Sequence, residues 1–453
     1  MTRMKTDARR LGCIALACGW ILQGQALAQA TAADSPAPDS APQAFALHVQ
    51  ATVTLQAHPA FTSPYRGPFS LDPGARADET TDFTVYAGAR LWSGAEFWVT
   101  PEIDQGFGLS DTVGIAGFPS GEAYKVGARD PYLKLQRAFL RQTFNLGGAV
   151  QTVDPDLFTL GGSRTADRLV ITVGKVSTVD IFDNNAYAHD PRQDFLNWTL
   201  IDTGSFDYAA DAWGYTVGAA GEWYAGPWAV RAGVFDLSVV PNSAALDPKL
   251  DQYQDVAEIE RRYSLWGEAG KAAVTGFLTR GRQASFADAV ALSLETGEPA
   301  NVVLVRHYRS RGGLSVNMEQ AINDQLGLFL RAGGADGNVE PYEFTDVDDT
   351  FAMGASQGGK PWGRADDKVG LAFVVNTISK AHEAYLNAGG TGILVGDGQL
   401  PHPGPETSIE TFYSLAMWSH MHLSADYQFV HNPAYNRDRG PVSVLGLRLH
   451  AQY

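Results

Sequence analysis

Cysteine is almost missing from this 453-residue chain: there are two, Cys13 and Cys18, both near the amino terminus. The remainder can form neither a disulfide nor a thiolate metal site. A basic surplus is missing too. Lys and Arg number 34 against 50 Asp and Glu, a formal charge of −16, which argues against a nucleic-acid partner, because phosphates demand a basic surface. Charged residues make up 19%, below the usual share of about a quarter. Beyond residue 30 no apolar run approaches the roughly 18 residues of a spanning helix, and beyond residue 44 no linker breaks the texture. A chain this long would ordinarily divide into domains of about 100–200 residues; with no boundary to divide it, one large unit of many strands remains.

Met1 to Ala30 has the order of a secretory signal. Arg3, Lys5, Arg9 and Arg10 precede an apolar run from Leu11 to Leu22, and small residues end in Ala26-Leu27-Ala28 and Ala28-Gln29-Ala30. The run is about 12 residues, where a membrane anchor needs about 20. The expected organisation is a signal peptide over 1–30, a flexible linker over 31–44 rich in Ala, Pro, Ser and Asp, and one β domain over 45–453.

What the chain has is glycine, aromatic residues and alternation. Phe45, Leu47, Val49, Ala51, Val53 and Leu55 fall on one side of a strand, and His48, Gln50, Thr52, Thr54 and Gln56 on the other. Phe83 to Leu91 repeats the pattern, Trp92-Ser93-Gly94 makes a tight turn, and Ala95, Phe97 and Val99 then oppose Glu96, Trp98 and Thr100. Ser443 to Tyr453 alternates again. Such strands run to about 9–12 residues, enough to cross a bilayer when tilted, whereas soluble sheets use about five or six. Long polar stretches alternate with short turns, as in outer-membrane barrels, and a closed barrel pairs every backbone donor where lipid offers no partner. The sequence therefore predicts an all-β, transmembrane antiparallel β-barrel of about 16 strands, exported to the bacterial outer membrane.

With the amino terminus on the periplasmic side, Ala57 to Thr81 becomes the first outer loop and Ile103 to Pro131 the second. Strand four is expected from Tyr132 to Thr143 and strand five from Arg168 to Gly174. Lys175 to Tyr208 is then the third outer loop, which in general porins folds inward and narrows the channel. Glu340 to Asp349 reads as a solvated acidic loop. Gly354-Ala355-Ser356-Gln357-Gly358 matches a nucleophile elbow, but Gly359, Pro361 and Gly363 follow where a helix should. No catalytic residue is assigned, and the chain is not expected to be an enzyme.

Val173-Gly174-Lys175, the run Asp180-Ile181-Phe182-Asp183-Asn184-Asn185-Ala186-Tyr187-Ala188-His189-Asp190-Pro191-Arg192, and Phe195-Leu196-Asn197-Trp198 resemble the signature of the carbohydrate-selective porins, the glucose-porin family of Gram-negative outer membranes. The likeness extends through His58-Pro59-Ala60-Phe61, Gly88-Ala89-Arg90-Leu91-Trp92, Pro101-Glu102-Ile103, Gly117-Phe118-Pro119-Ser120-Gly121-Glu122-Ala123 and Arg141-Gln142-Thr143-Phe144. It is strong from His58 to Phe235 and diffuse beyond. Thr100 and Ser120 stand where Asn is more usual. The resemblance implies passive diffusion of glucose and other mono- and oligosaccharides through a constricted aqueous pore with an arginine-bearing wall and no cofactor. The alternative class is a barrel enzyme or a saccharide-export channel.

A sugar in a narrow pore exchanges water for protein hydrogen bonds, which favours guanidinium donors, carboxylate and amide acceptors, and aromatic faces. Arg90, Glu96, Glu102, Arg137, Arg141 and Arg231 are the candidates for the polar wall, with Trp98 and Trp198 as stacking surfaces. Asp183, Asn184, Asn185, Asp190 and Arg192 are the candidates from the third loop. Arg90 and Glu96 are the foremost wall candidates, because each sits on the polar face of a clearly alternating strand, the plainer reading being an ion pair that braces the barrel; for Arg137 and Arg141 the strand phase is not clean. The oxygen ligands of the third loop do not match a calcium loop, and Asx residues commonly close turns, so no metal is expected. The expected partners are sugars as solutes, outer-membrane lipid and lipopolysaccharide, and a homotrimer as for general porins, although some sugar porins act as monomers.

Overall fold

A computed structural model describes residues 42–123 and 127–453; the expected signal over 1–30 and residues 31–41 of the expected linker lie outside the described residues. The strands are β1 Phe45–His58, β2 Arg76–Trp92, β3 Ala95–Gly106, β4 Ala128–Val153, β5 Gly162–Val176 and β6 Thr216–Ala225. They continue as β7 Trp228–Asp236, β8 Tyr253–Leu265, β9 Glu268–Gln283, β10 His307–Ala321 and β11 Leu326–Ala335. The last five are β12 Asp349–Gly358, β13 Lys368–Thr377, β14 Glu406–Trp418, β15 Met421–His431 and β16 Val442–Gln452. Each is antiparallel to its neighbours in sequence. β16 pairs with β1, from Gln50 opposite Gln452 to Ala57 opposite Leu445, so the sheet closes with no free edge.

Burial is inverted relative to a soluble protein. Along β1, Leu47 is 64% exposed, whereas Gln50, Thr52 and Thr54 are exposed by 2% or less. On β16, Leu445 and Leu447 point out and Arg448 is buried. The outer face is the one lipid must cover, and a guanidinium placed there costs about 2–4 kcal/mol near the bilayer midplane, so the alternation is a stability requirement. No helix among the described residues is long and apolar enough to cross a membrane.

Long connections gather at one end of the barrel and short ones at the other. Trp92, Trp223, Trp228, Trp266, Trp362 and Trp418 are exposed, and each lies in or beside a connection at the short-turn end, as expected of an aromatic belt at a lipid–water boundary. At the Trp92-Ser93-Gly94 turn, Gly94 takes a φ of 77°, which a side chain would disfavour.

Several boundaries move. β2 begins at Arg76 and β3 ends at Gly106, so the first two long connections are shorter than the sequence suggested. β4 continues to Val153, through register shifts around Gly147. The acidic stretch 340–349 is not solvated: Glu340, Glu343, Asp346 and Asp348 are buried. Backbone amides replace water there, with Asp346 accepting from Ile393 at 2.9 Å, Val395 at 3.1 Å and also Leu394. Gly354 to Gly358 lie in β12, without the strand-to-helix turn of a nucleophile elbow.

Candidate functional site

The inward face is built by strand phase. Thr100 pairs with Arg137 and Pro101 with Leu135, leaving Gln136 as an extra residue on β4. This bulge shifts the phase, so both Gln136 and Phe139 are buried, and it explains why the alternation around Arg137 and Arg141 is not clean in the sequence.

Most interior cations are committed to partners. Arg90 donates from Nε to Gln43 O at 3.0 Å and from Nη2 to Gly161 O at 3.2 Å, and it lies 3.4 Å from Glu96. Arg141 donates to Phe158 O at 2.8 Å. Glu96 accepts from Trp98 Nε1 at 3.3 Å. Trp98 itself is completely buried, with its ring against Gly88, where a Cβ would collide with it. Arg231 is surrounded by Glu222, Glu258 and Glu260 at 3.1, 2.5 and 2.8 Å. Arg192 stands 3.5 Å from Asp82, 3.4 Å from Glu102 and 3.3 Å from Glu122, and Glu102 also accepts from Thr84 at 2.6 Å and Gln136 at 3.0 Å.

The segment 177–215, between β5 and β6, bonds to inward-facing residues on many strands. The Asp183 amide donates to Glu258 on β8 at 2.9 Å, and its carboxylate accepts from Thr203 N at 2.6 Å and Asn317 on β10 at 2.7 Å. Asn184 O accepts from Lys271 at 2.6 Å. Asn185 donates to Asn317 at 2.7 Å. Glu410 on β14 accepts from Leu196 N at 2.5 Å and Asn197 N at 2.9 Å. Arg331 on β11 donates to Leu200 O at 2.7 Å, and Arg448 on β16 to Asp194 O at 2.9 Å. Asp190 caps the Arg192 amide at 2.9 Å. Tyr187 packs so tightly over Gly327 on β11 that a Cβ there would overlap its ring.

A cavity of about 500 Å³ lies between this segment and the wall. Of the residues singled out from sequence, Arg137, Arg141, Asn184, Asp190, Arg192 and Trp198 line it. Arg90, Glu96, Trp98, Glu102, Asp183, Asn185 and Arg231 do not, and their bonds brace the wall and the segment. Trp198 stacks on Phe118, with centroids 5.1 Å apart and planes 12° from parallel.

Tyr86, Phe139, Phe158, Asp180, Asp202 and Tyr215 line the cavity but were not anticipated. Tyr86 had a signal, since it lies on the polar face of an alternating strand; Phe158 had none. Burial raises the Asp180 carboxyl, but the Arg137 guanidinium overrides it and holds the group below its ordinary value. Burial, then the charge of Asp183, pushes Asp202 up to about 8. His189, whose Nδ1 is 3.7 Å from Asp202, is pushed down, by burial and then by Arg331. The wall is thus rich in hydrogen-bonding groups, and its guanidinium groups, Arg137, Arg141 and Arg192, face a larger set of carboxyl groups, Glu122, Asp156, Asp180, Asp190 and Asp202.

Solved structures share this architecture. The high-pH structure of OprB from Pseudomonas putida is 14% identical, with a TM-score of 0.69, and the match covers 90% of this chain and 94% of that one. The low-pH structure of the same porin is 11% identical with a TM-score of 0.50, covering 90% and 93%. DcaP, an outer membrane channel of Acinetobacter baumannii, is 11% identical with a TM-score of 0.49, covering 90% and 97%. A search among curated protein sequences finds no match. The model of the carbohydrate-selective porin, OprB family, matches residues 70–453, most of the chain, and the protein therefore belongs to that family of channels of the bacterial outer membrane.

Proposed function

We propose that glucose and other mono- and oligosaccharides diffuse passively through this barrel, with 177–215 as the inward-folded third outer loop and the cavity beside it as the narrow part of the path. The observation that carries the reading is the cavity wall: the Arg137–Asp180 pair, Arg192 among its carboxylates, and aromatic rings around one space. Guanidinium and carboxyl groups in one wall offer donors and acceptors to hydroxyl groups, and binding weak enough for release is what flux requires. No hydrolytic role is proposed. The same proposal surrounds the barrel with outer-membrane lipid and lipopolysaccharide, and its assembly is a homotrimer, as for general porins, or a monomer, as for some sugar porins.

Liposome swelling tests it. Vesicles carrying the mature chain should admit hexoses faster than zwitterionic amino acids of similar size, and Arg137→Ala should reduce that difference. Vesicles that stay impermeable, or a barrel that hydrolyses lipid or glycan instead, would overturn the reading.

A further inference from the structure

The connection between β4 and β5, residues 154–161, lies at the short-turn end, yet it does not stay at the rim. Asp156 and Thr159 exchange backbone bonds at 2.9 and 3.0 Å and form a tight tip whose apolar residues turn into the barrel. Leu160 is 1% exposed. The Phe158 ring meets three inward-facing rings, with centroids 4.9 Å from Tyr86, 6.0 Å from Trp98 and 6.1 Å from Phe139.

The connection is held by its carbonyls. Arg141 donates to Phe158 O at 2.8 Å, and Arg90 to Gly161 O at 3.2 Å. Gln43 completes the hold, donating its amide to Gly161 O at 2.9 Å and accepting from Gly161 N at 2.8 Å. Two guanidinium groups on the inner wall are thereby spent on fixing this backbone. Arg137 lies between the Phe158 and Tyr215 rings, 4.8 Å from each centroid. Asp156 through Thr159 line the same cavity as Arg137, Asp180 and Arg192.

The geometry points to 154–161 as a second narrowing element of the channel, facing the segment 177–215 across the cavity, with Phe158 as the ring that fixes the Arg137 guanidinium beside the path of a neutral saccharide. The inference rests on the reading that the barrel passes sugars. Arg137 and Asp180 can hydrogen-bond the hydroxyl groups of a pyranose, and the Phe158 and Tyr215 rings hold that guanidinium between them by cation–π contact. The selective path is then set from both ends of the barrel: outer residues hold one wall and the β4–β5 connection the other.

The test uses the full mature chain in liposomes and in planar bilayers, comparing wild type with Phe158→Ala and Phe158→Tyr. Heat-modifiable migration on gels confirms that each variant is a closed barrel. Phe158→Ala should raise ion conductance and lower the preference for hexose over an amino acid of equal size by roughly threefold, the scale of the one cation–π contact that holds Arg137. Phe158→Tyr, which keeps the ring, should retain the preference. A folded Phe158→Ala barrel with wild-type conductance and wild-type preference overturns the inference and leaves the channel reading intact. A wild-type barrel that admits no sugar overturns the channel reading itself. If Phe158→Ala does not close into a barrel, Phe158→Leu, apolar but without a ring, replaces it, and unchanged preference in that variant overturns the inference.

Discussion

Arg137 and Asp180 meet fork to fork, with Nε donating to Oδ2 at 2.7 Å and Nη2 to Oδ1 at 2.6 Å. One residue comes from β4 and the other from the segment that follows β5, so this pair ties the segment to the wall with fixed planar geometry. Arg137→Lys keeps the charge but loses the fork and the flat face. Hydrogen exchange of amides 177–181 should accelerate by roughly tenfold, about 1.4 kcal/mol and near the lower end for a charge-assisted bond. Unchanged protection would mean that the pair does not hold the segment.

Glu410 on β14 holds the same segment at another point, through the Leu196 and Asn197 amides. Glu410→Gln presents an NH2 to one of those N–H donors and leaves it without an acceptor, at a cost of about 1–3 kcal/mol. The expected result is a noisier single-channel current and faster proteolysis near Asn197, with the β-barrel circular dichroism unchanged.

These two residues show how far the sequence could be read. Strand identity along β1 and β16 was legible because alternation there is unbroken and has a physical cause, lipid on one side and polar interior on the other. The phase of β4 was not, because nothing local to it announces that Pro101 on the neighbouring strand displaces Gln136 into a bulge. Partnerships such as Arg192 with Asp82 and Glu122 join residues from a strand and two long connections, and no sequence spacing encodes them. Glu340 to Asp349 was misread for a related reason: composition reports charge, but not the backbone amides that take the place of water. Phe158 escaped notice because a ring in a short connection looks like an interfacial residue until the fold turns it inward.

Asp202 gives the segment a pH dependence whose sign can be worked out. Its folded value is about 8, raised from the model-peptide value of about 3.9. Between those limits the unfolded carboxyl gives up a proton that the folded one keeps, so stability falls as pH rises, by up to about 1.4 kcal/mol per pH unit from this group alone. Hydrogen exchange across 198–206, corrected for intrinsic rates, should show opening become easier from pH 5 to pH 8, and Asp202→Asn should flatten that slope.

The outward and inward faces should respond differently to substitution. Leu447→Arg places a guanidinium against lipid and should destabilise the barrel by about 2–4 kcal/mol if the site is near the midplane. Thr54→Ala, on the buried inner face, should stay within about 1 kcal/mol of wild type. Reversible urea unfolding from lipid bilayers measures both, and equal costs would contradict the assignment of faces.

Current through a single reconstituted barrel tests the central claim most directly. Adding a neutral oligosaccharide to one side should interrupt the current in brief, reversible steps whose frequency rises with sugar concentration, because the permeant occupies the path the ions use. A current that ignores sugar at every concentration, or no current through a correctly folded barrel, would contradict it.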